Sequence, residues 1–401
     1  MNRIFKVAII GGGASGLLCA TELLLGRNAL NGSEVAILER NDRVGKKLVA
    51  TGNGQGNISN VSVSSKNYSG DPAFISFFIE QFKDINPVRY LERLGIFTEA
   101  DEVGRIYPVS RQANSVLDII REYLVSKNCT VFTGFKATEV KENGGIFTVK
   151  AENGDIICAK SVVFAFGGKA AKQFGTDGSS YSLATAFNHK LTPLYPSLVQ
   201  LKTDKTLIKG LKGIKENATI SLYDGNKFIK RAEGDFMFTD YGVSGNAVFK
   251  VSDKVAGLTE PILKVDFLPR FTLKTIIDLL ETRLKQGFIP KSDLLNGLVH
   301  KKLGEMIVKD AKQDIVHIAE TVKAFTLKVV GTLGFDYAQT TKGGIKTQDV
   351  DPETYESKLK NGLYMIGEML DVDGECGGYN LTFAFTSGIT AARAVKKNYN
   401  N

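Results

Sequence analysis

Residues 362–388, GLYMIGEMLDVDGECGGYNLTFAFTSG, hold the densest set of groups suited to gripping an anion. A short apolar strand, Leu363 to Ile366, reads into Gly367-Glu368. An acidic, glycine-rich loop follows, with Asp371, Asp373, Gly374, Gly377 and Gly378, and a helix then opens at Tyr379-Asn380. Such a turn aims backbone N–H groups and the positive end of a helix dipole at a bound anion. At the opposite end, Val7-Ala8-Ile9-Ile10 enters Gly11-Gly12-Gly13-Ala14-Ser15-Gly16. One glycine-rich turn indicates a dinucleotide; two that converge on one ligand indicate FAD.

The first turn has its full context: a strand before it, a helix after it and Glu39 ending the next strand. Gly11 permits the tight turn, Gly13 the approach of a pyrophosphate to the backbone, and Gly16 close packing of helix on sheet. Glu39 is placed to accept from adenosine ribose hydroxyls, and an acid there repels a 2′-phosphate. Ala165-Phe166-Gly167-Gly168 ends another apolar strand and is expected to pass near the same ligand. In the terminal loop, the acids Glu368, Asp371 and Asp373 stand where a ribityl chain needs acceptors. Calcium is the competing ligand for Asp371, Asp373 and Glu375, but Gly374 is out of place for an EF-hand and the twelfth residue is Thr382. Gly377-Gly378 opens a helix that can face the pyrimidine edge of a flavin and stabilise negative charge there. Tyr107, Tyr241 and Tyr379 are the candidate proton donors. Cys376 is the one cysteine in a cofactor loop; with no partner cysteine nearby it reads as an inert small side chain.

Composition narrows the classes. The chain has 401 residues, 43% hydrophobic and 23% charged, so two or three soluble domains are expected. No apolar run approaches the about 18 residues of a membrane span, and the N-terminal residues go straight into a strand, so the expected compartment is the cytoplasm. Four scattered cysteines and three scattered histidines support neither disulfide, zinc nor dithiol chemistry, and no metal is expected. The net charge of +8 reads as a solvated basic face, since no RNA-reading motif accompanies the lysines.

Positioning these groups requires a β-α-β unit: a strand from Lys6 to Ile10, a helix from Ala14 to Leu25 and a strand from Glu34 to Leu38. Residues 40–70 read as a long functional loop, 71–128 as mainly helical, and 129–166 as short strands, with Asp155 to Ala159 separate from Ser161 to Phe166. A second β-rich region spans about 195–265, a helical one runs from Pro269 to about 326, and the chain returns to its first domain near 340. The expected fold is α/β. A Rossmann-like nucleotide domain (1–194 and 336–401) carries an inserted β-barrel-like domain (195–268 and 327–335) and a small helical domain (269–326).

Long ordered motifs now carry a resemblance: GGGASGL at 11–17, LERNDRVGKKLVATGNG at 38–54, GRIYPVSRQANSVLD at 104–118, GDFMFTDYGVSGNAV at 234–248, TTKGGIKTQDVDPETYESK at 340–358 and GEMLDVDGECGGYNL at 367–381. The chain resembles a bacterial FAD flavoprotein family that includes aminoacetone oxidases and reductases of dehydrogenated bile acids. More distantly it is similar to fumarate-reductase and glutathione-reductase flavoproteins. The resemblance implies noncovalent FAD, with Gly11 to Ser15 on the pyrophosphate, Glu39 and Arg40 on the adenosine, and Lys47 with Thr51, Gly52, Asn53 and Gly54 on the flavin side. It implies a small-molecule substrate in a groove between insert and flavin. Gln55-Gly56 stand where family members commonly carry Arg-Cys. No second glycine fingerprint marks a nicotinamide domain, so NADH or NADPH would approach the flavin through the open groove. The expected reaction is hydride transfer through FAD to or from a small organic molecule. The alternatives are an oxygen-using oxidase of small amines and a flavin-dependent protein acting on RNA.

Overall fold

The computed structural model describes residues 3–26 and 28–400. Contacts divide it into two compact units, one holding the chain up to Tyr195 and from Thr340, the other Pro196–Gln339.

The first unit is built on a seven-stranded sheet. Its parallel part runs, in order, Thr130–Phe132, Val35–Leu38, Ile4–Ile10, Ile156–Phe164 and Leu363–Met365. Ile9 pairs with Ile37 on one side and Val163 on the other, and Val163 pairs with Tyr364. Residues 7–10 and 162–164, like the whole of Val35–Leu38, are continuous apolar stretches buried throughout because both faces of the sheet are covered there. The helix Ala14–Leu23 is buried along nearly its whole length, and the C-terminal helix Tyr379–Asn400 crosses it so closely that a Cβ at Gly388 would strike the Ser15 carbonyl.

Three local expectations change. Ile156–Phe164 is one strand, not two. Its first half pairs antiparallel with Ile146–Ala151, and its second half lies between two parallel neighbours. Residues 40–70 are not irregular: they contain the helix Lys46–Val49, a tight turn at Thr51–Gly54 and the strands Ser59–Asn60 and Tyr68–Gly70. Asp373 does not stand in an open loop either; it is 5% exposed, in a strand Val372–Gly374 paired with Tyr68–Gly70.

The second unit is a closed six-stranded barrel, in the order Leu201–Thr203, Gly242–Ser244, Lys227–Phe238, Lys215–Asp224, Pro261–Asp266 and Phe325–Thr332. Phe236, Phe238, Phe267 and Phe325 pack as tilted and edge-to-face rings inside this unit. The helices Leu273–Gln286, Lys301–Asp310 and Ile315–Lys323 bury Leu280, Leu303, Ile307 and Ile318 in the same hydrophobic cluster as the barrel strands. Asp314 caps the last of these helices through the His317 N–H at 2.7 Å. No helix of the described residues is long and apolar enough to cross a membrane.

Candidate functional site

Four neighbouring parallel strands end on the same edge of the first unit's sheet, and each hands over a residue singled out by sequence. Val35–Leu38 ends at Glu39, Ile4–Ile10 at Gly11, Ile156–Phe164 at Ala165 and Leu363–Met365 just before Gly367. The carboxyl ends of parallel strands are where open α/β sheets bind ligands.

The glycines there do different things. Gly11 has φ +113°, and a Cβ on it would run into the Ala165 carbonyl; a Cβ on Gly16 would run into the Gly11 carbonyl. These two positions are closed by the fold itself. A Cβ on Gly13 would meet nothing within 4 Å. Gly13 stands at the start of the ten-residue helix Ala14–Leu23, whose N-terminus has no side-chain cap and no acid in its first turn. The cradle therefore offers unfilled N–H donors facing open space, which fits a pyrophosphate. Gly367 approaches Ser15 so closely that a side chain there would displace the Ser15 hydroxyl.

Glu39 is 7% exposed and already holds the turn together. Its Oε2 accepts from the Gly12 N–H at 2.8 Å, and its Oε1 accepts from the backbone and side chain of Asn41 at 2.8 and 2.7 Å. Oε2 keeps one acceptor site, enough for one ribose hydroxyl rather than two. Arg40 is held by Asp177 through two hydrogen bonds of 2.8 and 3.0 Å and by the Gly175 carbonyl. That guanidinium keeps the Asp177 carboxyl well below the usual carboxylate range.

Lys47 donates to both oxygens of Glu368, at 3.0 and 2.7 Å. Glu368 Oε1 also accepts from the Thr341 N–H, and the Thr341 hydroxyl accepts from the Lys169 and Ala170 N–H groups. This network wraps Gly168, where a Cβ would crowd Thr341 and Glu368. Gly167 has φ +75° beside Thr176. Asp371 is half-buried; burial raises its carboxyl pKa, and a hydrogen bond with Thr192 opposes the rise. Among the described residues no group of three His, Cys, Asp or Glu side chains is placed to hold a metal ion.

A second cluster forms around the Thr51–Gly54 turn, in which Gly52 (φ 56°) and Asn53 (φ 54°) are left-handed. Gly378 lies against the Ser59 carbonyl, and Asn60 Nδ2 donates to the Gly377 carbonyl at 3.1 Å. Asn380 is occupied within its own loop, accepting from the Gly374 N–H at 2.9 Å and donating to the Gly374 carbonyl at 2.6 Å. Tyr107 lies on the strand Arg105–Pro108, its ring edge against Gly52 and Arg111 stacked 4.5 Å from its centroid. Tyr379 is 8% exposed beside Gly377, and burial raises its phenol pKa. Tyr241 belongs to the second unit, where its carbonyl accepts from the Thr203 N–H. Sequence reasoning passed over Asn41, Asp177 and Thr341, which carry the Glu39, Arg40 and Glu368 networks.

Fold and cradle together are those of a Rossmann-type FAD-binding enzyme. The family model described as the HI0933-like protein Rossmann domain matches residues 5–394, and the chain belongs to that family. It is 36% identical to a 3-dehydro-bile acid delta(4,6)-reductase of Clostridium scindens, over 98% of this chain and 99% of that one. It is 27% identical to a ribosomal RNA dihydrouridine synthase of Haemophilus influenzae, over 99% of this chain and 100% of that one. Among solved structures, a 3-ketosteroid-delta4-(5alpha)-dehydrogenase from Rhodococcus jostii shares the fold with a TM-score of 0.51 and 15% identity, over 99% of this chain and 98% of that chain. The chain is an FAD-dependent oxidoreductase.

Proposed function

We propose that this protein reduces a carbon–carbon double bond conjugated to a carbonyl in a small ring-containing substrate, with NADH or NADPH as the electron donor. The observation that carries this reading is the 36% identity, along nearly the whole of both chains, to a reductase whose name specifies a 3-oxo acid unsaturated at positions 4 and 6. FAD, when bound, supplies hydride-level redox chemistry between two organic partners.

The chain's own part is binding and position. The N–H groups from Gly13 to Ser15 would take the pyrophosphate, since those of Gly11 and Gly12 are spent on the Leu38 carbonyl and Glu39. Glu39 would take one adenosine hydroxyl, with the Arg40–Asp177 pair flanking it. Gly167-Gly168 and the Lys47–Glu368 pair would border the ribityl region. Thr51 to Gly54 and Gly377-Gly378, with Tyr379, would line the flavin side. Asp371 and Asn380 are committed to Thr192 and Gly374 and would shape the loop. A cytoplasmic setting suits a nicotinamide donor.

A second reading has its own support. Dihydrouridine synthesis also reduces a double bond conjugated to a carbonyl, and the 27% likeness spans both chains while the net charge of +8 suits an anionic substrate. One experiment separates the two. The FAD-loaded protein is mixed anaerobically with NADH and with NADPH, then offered a 3-oxo-4,6-diene steroid acid or unmodified ribosomal RNA. The expected result is bleaching by one nicotinamide followed by recovery of colour with the steroid acid. Recovery with RNA alone would favour the second reading, and no bleaching by either nicotinamide would sink the reductase proposal.

A further inference from the structure

Resting on that reading of the Thr51–Gly54 and Gly377–Gly378 turns as the flavin side, we infer that Tyr107 delivers the proton that completes reduction of the double bond, and that Arg105 and Arg111 position it and hold the charge it leaves.

Three tyrosines were candidates, and their surroundings differ. The Tyr107 ring is 5% exposed, set in the middle of a small sheet in which Arg105–Pro108 pairs with Ser59–Asn60 and Thr98–Ala100. A Cβ on Gly52 would stand 3.3 Å from the Tyr107 Cε1, as near as to the Asn57 Cβ. Among the described residues no hydrogen bond ends on its hydroxyl. That oxygen is nevertheless not sealed in, unlike the unpaired hydroxyls of Tyr90, Tyr181 and Tyr355. The ring is fixed and the acidic end is open.

Two cations flank it. The Arg111 guanidinium lies 4.5 Å from the ring centroid and is steadied by Glu99 at 2.7 Å; the Arg105 guanidinium lies 5.9 Å away and is steadied by Asp101 at 2.7 Å. Arg111 holds this place from a left-handed backbone, φ 52°, that a side chain rarely adopts. Burial raises the Tyr107 phenol, Arg105 and Arg111 pull it down, and Asp101 and Cys376 push it up. Tyr379 has the opposite neighbourhood, since Glu375 and Cys376 both oppose its ionisation. Of the two in this unit, Tyr107 is the one whose phenolate finds positive charge beside it.

The step balances simply. A hydride, whose electrons originate in the reduced nicotinamide, adds to the carbon β to the carbonyl. The π pair of the double bond shifts to the α-carbon and takes the proton from the Tyr107 O–H. The O–H bonding pair stays on oxygen as phenolate, and water returns the proton. One hydride and one proton have then crossed the double bond.

The test compares Y107F, R111M and R111K with the wild type, each checked for FAD content and melting temperature. In Y107F, bleaching by nicotinamide should stay within about twofold, while reoxidation by the enone acid falls about 100-fold or more. In R111M the alkaline limb of the reoxidation profile should move up in pH, and R111K should restore part of the shift. Independently of turnover, a tyrosinate absorbance titration should lose one step in Y107F, and that step should move to higher pH in R111M. Enone reduction at the wild-type rate in Y107F, or a titration unmoved by R111M, would overturn the assignment alone. A wild type that reduces no enone would instead overturn the reading beneath it.

Discussion

Lys47 Nζ lies 2.7 Å from Glu368 Oε2, joining two turns that stand 321 residues apart in the chain. The pair fastens the segment after the second strand to the segment after the last strand of the sheet, and both groups are about one-fifth exposed. Removing either leaves a partly buried charge without its partner, at a cost of about 1–3 kcal/mol. K47M and E368Q should each lower the chemical-denaturation midpoint, and the double variant should cost less than the sum by about 1 kcal/mol. Strict additivity would show that the two turns are not coupled through this pair.

The glycines of the first turn separate folding from binding. G11A should yield no FAD-loaded soluble protein, because the added Cβ collides with backbone at a left-handed position. G13A should fold with the apoprotein melting unchanged, since its Cβ enters open space and its φ of −84° suits alanine. Its FAD affinity should nevertheless drop by about tenfold or more, or about 1.4 kcal/mol. Fluorescence titration with FAD checks this; wild-type affinity in G13A would mean the pyrophosphate does not lie over that residue.

Glu39 should matter to the turn even without ligand. E39A strands the N–H groups of Gly12 and Asn41 in a site that is nearly closed. Each stranded donor costs about 1–3 kcal/mol, so the apoprotein should lose stability as well as affinity. E39Q keeps one carbonyl oxygen and should fall between the two. A variant that loses affinity while its apoprotein melts normally would assign Glu39 to the ligand alone.

His189 supplies the pH dependence. It is 2% exposed, its Nε2 is 2.8 Å from the Ser357 hydroxyl, and its Nδ1 has no partner. Burial lowers its pKa, with Asp349 opposing. The unfolded chain therefore takes up a proton near the ordinary histidine value while the folded one does not, so stability is full above about pH 6.5 and declines as pH falls below it. Between pH 7.5 and 5.5, on the order of the histidine range, the wild type should lose more stability than H189Q. Parallel losses in the two proteins would remove His189 as the cause.

What was legible in the sequence depended on distance along the chain. The strand, glycine turn, helix and acidic strand end from Ile4 to Glu39 form a local pattern, and their order is visible in one pass. In sequence, 155–166 reads as two strands because Lys160 interrupts the apolar run. In the fold that side chain simply leaves on the exposed side where an alternating strand becomes fully buried. The elements within 40–70 are only two to four residues long, too short for periodicity to register. Asp177 and Thr341 had no signature at all. They reach Arg40 and Gly168 across 137 and about 170 residues, and only the finished sheet brings them there.

The slot beside Val162–Phe164, filled by Leu363–Met365, has a consequence during synthesis. Pro196–Gln339 is continuous in sequence, whereas the sheet that precedes it is not complete until residue 365 has been made. At ordinary translation rates that leaves a parallel strand edge open for on the order of ten seconds or more. Such an edge is a pairing site for other chains. The last strand of this sheet is thus also the closing element of biogenesis: a ribosome stalled before it would hold a nascent protein whose barrel can mature while its cofactor sheet remains adhesive.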